Sequence, residues 1–236
     1  MQNNTDFIRS EVKMYKLFQI GSLPTNCYVV TDDKHNAIVI DVAESGYEQI
    51  ADYLRKEKLV LRGILLTHGH FDHVGGVDPF LDSYYREKIS GYDGNLSGVD
   101  EKDKIHVYVE EKDIDYCHRA AYCAGVWGVK AADCNTAEPL PEGEIVFADG
   151  SIKVSYIKTP GHSEGSVIYF IDGLMFSGDT LFAGSVGRTD FPQGSSRKLN
   201  ESLKLIRRID GDYRVLSGHG RETALGREKD VNIWLK

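Results

Sequence analysis

Residues 67–73 read Thr-His-Gly-His-Phe-Asp-His, so His68, His70, Asp72 and His73 place three imidazoles and one carboxylate within six positions. Imidazole nitrogen and carboxylate oxygen are the usual N/O ligands of zinc and iron. On an extended loop, His68 and His70 project to one side, leaving Asp72 and His73 to turn towards a second ion. The whole chain has eight histidines, so a polar loop enriched in three of them by chance is a poor competing explanation. The apolar run 63–67 (Gly-Ile-Leu-Leu-Thr) predicts a strand that delivers the chain to this loop.

Around that loop the pattern alternates strands and helices. Segments 12–18, 27–31 and 37–42 predict short strands separated by turn residues such as Pro24, Asn26, Asp32 and Asp33. Segment 46–58 carries Ile50 and Leu54 at helical spacing among charges, and 74–81 also predicts a helix. Segment 90–104, rich in Gly, Asp, Ser and Asn, predicts a surface excursion. A strand over 105–109, a helix over 110–121 and an irregular stretch over 123–141 follow. Then come strands over 151–158 and 166–171, an Asp172-Gly173 hairpin turn and a strand over 174–177. A helix over 199–209, a strand over 213–217 and a closing helix from Gly226 complete the chain, which is expected to be one domain over 1–236.

Three more ligand-type residues follow strands and lie beside glycines: His162 in 159–165, Asp179 in 176–180 and His219 in 217–220. Glycine lets backbone approach an ion closely, and sheets of this kind present functional groups at strand ends. Each alone reads as a hydrogen-bonded turn residue; with the first cluster they make seven ligands, enough for two ions. The division expected is His68, His70 and His162 around one ion, Asp72, His73 and His219 around the other, and Asp179 bridging. Such ions lower the pKa of water from about 15.7 to roughly 7 and polarise a carbonyl. Asp72 is the candidate catalytic carboxylate that orients the nucleophile or receives its proton. Zinc is the first expectation, and iron or manganese suit the same donors.

The His68–His73 run, with 21–28 at one end and 218–223 at the other, resembles the metallo-β-lactamase-fold hydrolases over nearly the whole chain. Segment 176–190 is most similar to the glyoxalase II-like branch. The resemblance implies an α/β, four-layer αββα sandwich of two mixed sheets, with a dinuclear site at one edge. It also implies hydrolysis of a small-molecule thioester such as a hydroxyacylglutathione, by a metal-bridged hydroxide. The same seven residues take ligand roles, and Asp41 resembles a position that steadies the histidine loop, against an ordinary strand-end turn residue.

Other branches are weighed by residue. Asp179 stands where common zinc β-lactamases place cysteine, and His70 where flavodiiron proteins carry glutamate, which disfavours both. The extra nucleic-acid-clamping domain of nucleases of this fold is not visible. Persulfide dioxygenases share the histidine run and a segment like Gly187–Asp190 but use one iron and oxygen; they are the runner-up. Lactonases share all seven ligand types, and a non-catalytic metal-binding scaffold is the least favoured reading. Only 17 residues follow His219, so the glutathione site that a C-terminal helical extension supplies in full-length glyoxalase II is expected to be largely absent. Arg188 and Arg221 are candidate contacts for an anionic substrate, with a loop arginine or internal ion pair as the competing reading for each. Segment 83–140, with Tyr84, Tyr85, Tyr92, Tyr116, Tyr122 and Trp127, is a candidate lid or homodimer surface, or simply local core.

Composition narrows the partners. With 36 acidic against 28 basic residues the formal charge is −8, and no long basic run appears, which argues against nucleic acid. Residues 1–10 are polar and no stretch approaches membrane-spanning length, so a cytoplasmic protein without a membrane partner is expected. Cys27, Cys117, Cys123 and Cys134 form no CxxC pair and are expected as reduced, packed thiols, with a bridge or metal clip over 117–134 as the alternative.

Overall fold

Period-2 alternation in the central strands sends successive side chains into different cores, and this sets the layering. The computed structural model describes residues 12–236, so the expectation for 1–10 lies outside the described residues. One six-stranded sheet runs in the order β1 (Val12–Ile20), β2 (Thr25–Asp32), β3 (Asn36–Ile40), β4 (Val60–Leu65), β5 (His106–Val109) and β6 (Ala137–Pro139). The second runs β14 (Thr223–Ala224), β13 (Arg214–Ser217), β10 (Leu174–Gly178), β9 (Val167–Ile171), β8 (Ile152–Lys158) and β7 (Ile145–Phe147). Both sheets mix parallel and antiparallel pairs. A small hairpin joins β11 (Leu181–Phe182) to β12 (Ser185–Val186).

The cores follow from the alternation. In β2, Cys27 and Val29 enter the outer core of the first sheet, whereas Tyr28 and Val30 enter the core between the sheets. In β9, Tyr169 faces that middle core and Ile168 the outer core of the second sheet. Strands buried on both faces read as continuous apolar runs, as these do. The first outer core is covered by α1 (Glu48–Lys56), α3 (Val77–Lys88) and α5 (Ala120–Val126), through Ile50, Phe80 and Ala124 among others. The second is covered by α6 (Ser196–Arg207) and α7 (Leu225–Val231), through Leu203, Ile206 and Leu225. Helix, sheet, sheet, helix is the expected four-layer order.

Two helices differ from expectation. The helix expected over 74–81 is split into α2 (Phe71–Val74) and α3, which runs on to Lys88. The break is at Gly75-Gly76, where a Cβ on Gly76 would lie 2.0 Å from the Ala43 carbonyl oxygen. Close backbone approach, rather than propensity, ends α2. The helix expected over 110–121 is a 3₁₀ turn (Glu111–Asp113) followed by α4 (Ile114–Cys117) and then α5, which reaches into the stretch expected to be irregular. Asp113 is fully buried at that turn and spends its carboxylate on two other loops, so tertiary contacts override the helical pattern. All four cysteines are free thiols. Among the described residues no helix is long and apolar enough to cross a membrane.

Candidate metal centre

Four of the seven candidate ligands leave the first sheet after β4, and three leave the second sheet after β8, β10 and β13. Cross-sheet ties hold these ends together. The Thr67 carbonyl accepts from the Val167 amide at 2.9 Å, and Tyr169 Oη donates to the Leu66 carbonyl at 2.8 Å. Asn26 at the start of β2 donates through Nδ2 to the carbonyls of Ser217 and Gly220, both at 2.9 Å, and so fixes the turn that bears His219.

All seven side chains converge. Nε2 of His68 and Nδ1 of His70 are 3.1 Å apart, and Nδ1 of His70 and Nε2 of His162 are 2.9 Å apart. Beside them, Nε2 of His73 lies 3.3 Å from Nε2 of His219 and 3.6 Å from Asp72 Oδ2. Asp179 faces both groups: Oδ1 is 3.5 Å from His73 Nε2, and Oδ2 is 3.5 Å from His162 Nε2. The ligand atoms of His68, His70 and His162 all lie within 4.8 Å of one another, as do those of Asp72, His73 and His219. Two imidazoles on a tetrahedral ion at about 2.0–2.1 Å have their nitrogens roughly 3.3 Å apart, close to these separations.

The outward ring nitrogens fix which nitrogen faces inward, as partners of metal-binding imidazoles do. His73 Nδ1 is 2.8 Å from Asp41 Oδ2, and His162 Nδ1 is 2.8 Å from the Arg188 carbonyl, so each donates outward and turns a lone pair inward. Thr67 Oγ1 donates to Asp41 Oδ2 at 2.7 Å and stands 3.2 Å from His68 Nδ1, which can donate to it. Asp41 Oδ1 also accepts from the Thr67 amide at 2.7 Å. Asp41 thus joins the ends of β3 and β4 to His73, and it does so from a left-handed backbone, φ 58°.

Charge divides the cluster. Burial, with His73 and neighbouring imidazoles, pushes His68 well below the usual histidine range, and burial with His162 lowers His70 to about 3. Both are neutral donors at ordinary pH. Burial would also lower His73, but Asp72, Asp41 and Asp179 outweigh it and raise it to about 10. Burial would raise Asp72, yet His73 and His219 hold it below the usual carboxylate range. The Asp72–His73–His219 corner therefore draws positive charge, from a proton or from a cation.

The donors fit metal ions on a further observation. Asp179 Oδ1 is buried with no hydrogen-bond partner, a costly state that cation ligation relieves. A Cβ on Gly218 would lie 2.3 Å from that oxygen and 2.7 Å from His73 Cε1, so only glycine leaves room there.

The cluster forms the floor of an open cavity of about 1040 Å³. Tyr116, Tyr122 and Trp127 from the α4–α5 region line one wall, while Tyr84, Tyr85 and Tyr92 lie in the first outer core. The aromatic set of 83–140 thus divides between core and cavity. Arg188 lines the cavity but is paired with Asp190 through two hydrogen bonds of 2.6 Å. Arg221 is exposed and is not among the lining residues.

Two residues escaped the sequence. Asp113 accepts from the amides of Gly69 (2.8 Å) and Gly165 (2.7 Å) and from Ser163 Oγ (2.6 Å), clamping the His68–His73 and His162 loops together. Arg119 lines the cavity. Both look like solvated charges on a helix, and neither position carries a motif.

The Metallo-beta-lactamase superfamily model matches residues 20–89 and 93–219, and the chain belongs to that superfamily. It is 30% identical to the hydroxyacylglutathione hydrolase GloC of Haemophilus influenzae over 93% of this chain and 97% of that protein. Among solved structures it is similar to the B3 metallo-beta-lactamase BLEG-1, with TM-score 0.79 and 31% identity over 94% of this chain and all of that one. It is also similar to TTHA1623, solved in a di-iron-bound form, with TM-score 0.75 and 31% identity over 93% of this chain and 99% of that one. A thioesterase and a β-lactamase both stand among the proteins it is similar to.

Proposed function

We propose that the chain is a dinuclear metallohydrolase of small-molecule thioesters, similar in reaction to hydroxyacylglutathione hydrolases. The observation that carries this reading is Asp179, whose two oxygens face the two imidazole groups at 3.5 Å each, with Oδ1 otherwise unpartnered. The likeness to GloC supports the thioester as substrate.

His68, His70 and His162 would hold one divalent ion, Asp72, His73 and His219 the other, and Asp179 both. Such ions supply Lewis acidity, polarising the thioester carbonyl and acidifying water. Zinc remains our first choice, and the di-iron form of TTHA1623 keeps iron in view. The chain's own residues do the rest. Asp72, kept ionised by His73 and His219, takes a proton from the attacking water, a C–O bond forms, the C–S bond breaks, and the departing thiolate recovers a proton.

The test is metal analysis of the purified protein with a panel of thioester, lactone, β-lactam and glutathione persulfide substrates. Thioester turnover is expected to lead, and Asp72→Ala should lower it by at least about 100-fold, the usual scale of acid–base assistance. Oxygen uptake with the persulfide, or thioester turnover unchanged in Asp72→Ala, overturns the reading.

A further inference from the structure

The cavity above the cluster has two walls that meet. His70 sits between Tyr116 and Phe191, with ring centroids 5.8 and 5.2 Å away. Phe191 in turn meets Trp127 edge-on at 6.0 Å, which closes the α5 wall against the 187–194 loop. Tyr122, Val126 and Trp127 remain 66%, 74% and 51% exposed, so this apolar rim is available to a ligand.

Two guanidinium groups reach this space, and their states differ. Arg188 is neutralised by Asp190 and lies over the Phe191 ring, 4.3 Å from its centroid. Arg119 makes no ion pair or side-chain hydrogen bond among the described residues; its guanidinium rests over Tyr122, 5.3 Å from the ring centroid. Arg119 lies three residues after Tyr116, in the turn between α4 and α5. Asp115 also lines the cavity but makes no ion pair with Arg119, and an apolar surface ending in a cation without a close carboxylate partner suits an amphipathic anion.

Given the thioesterase reading of the site, we propose that Arg119 is a specificity residue: the cavity takes thioesters whose non-reacting arm is apolar and ends in a carboxylate. The arm lies against Tyr122, Trp127 and Phe191, and the carboxylate meets the guanidinium, which offers two parallel N–H donors to it. A polar, zwitterionic peptide arm gains little from these walls.

Binding of the arm alone tests this without turnover. The probes are 4-phenylbutyrate and its neutral counterpart 4-phenyl-1-butanol, titrated by calorimetry into the full-length, metal-loaded protein. The wild type is expected to bind the acid about 10-fold tighter than the alcohol, a difference typical of a charge-assisted hydrogen bond. Arg119→Gln should bring the two within about twofold, Arg119→Lys should restore part of the preference, and Trp127→Ala should weaken both ligands. A preference that survives Arg119→Gln places the carboxylate on the metals and overturns the proposal. So does equal binding of both probes by the wild type, or binding of neither. Failure of every thioester in the substrate panel would instead remove the thioesterase reading and leave this binding result standing.

Discussion

Asp41 Oδ2 lies 2.8 Å from Nδ1 of His73, and both groups are sealed from solvent. The same carboxylate takes the hydroxyl and amide protons of Thr67, one residue before His68. One acidic side chain thus orients the imidazole of one metal triad and the backbone leading to the other. Partners of this kind change metal affinity by about 10–100-fold when removed. Asp41→Asn keeps a residue that tolerates the left-handed backbone and should lower metal affinity by that amount. Competition with a chromogenic chelator reads the change, and an affinity within twofold of wild type would contradict it.

The histidines give the metal-free protein a stability that falls on both sides of neutrality. His68 and His70 have lowered folded values, so their contribution is present above the unfolded value of about 6.5 and is lost for His70 as pH falls towards about 3. His73 has a raised folded value, so its contribution is present below about 6.5 and is lost as pH rises through about 10. His219 is also raised and acts in the same direction as His73: burial opposes the rise, but Asp72 and Asp179 outweigh it. Stability increases with pH where the unfolded chain binds more protons and decreases where the folded one does. Urea midpoints of chelator-treated protein between pH 4 and pH 10 should peak near the unfolded histidine value. A midpoint that climbs steadily across that range would refute the assignment.

Asp113 holds three donors that water cannot reach. Asp113→Ala strands the Gly69 and Gly165 amides and the Ser163 hydroxyl, and each orphaned group costs about 1–3 kcal/mol. A loss of about 3 kcal/mol or more is expected, a fall in Tm of roughly 6–12 °C for a chain of this size. Ser163→Ala removes one donor with its own hydroxyl and should cost about 1 kcal/mol. Thermal scans of the two variants check the ordering.

Gly218→Ala introduces a methyl group 2.3 Å from Asp179 Oδ1 and 2.7 Å from His73 Cε1. The carboxylate must swing away, so the bound metal should drop from two ions per chain while the circular dichroism spectrum stays native. Two ions retained in the variant would contradict the ligand roles of Asp179 and His73 together.

The seven candidate ligands, which the structure brings together, were legible because imidazoles and carboxylates at strand ends, flanked by glycine, have few competing uses. The sequence also carried the strands β2, β3 and β9 as apolar runs, while the four-layer order came from the family resemblance. It missed β6, β7, β11, β12 and β14, two or three residues each, which are too short for alternation to register. The helix break at Gly75-Gly76 depends on a carbonyl more than thirty positions away, and the break after Asp113 on amides about fifty positions off in either direction. Arg119 was illegible for the same reason: only the folded chain shows that it lines the cavity without an ion pair among the described residues.

The seven ligands are shared between the sheets, four from one and three from the other. Neither half can grip a cation by itself, so the ions act as rivets across the seam of the sandwich. Withdrawing them should speed the parting of the halves, and the rate at which the protein lets go of its metal would then report how often that seam opens.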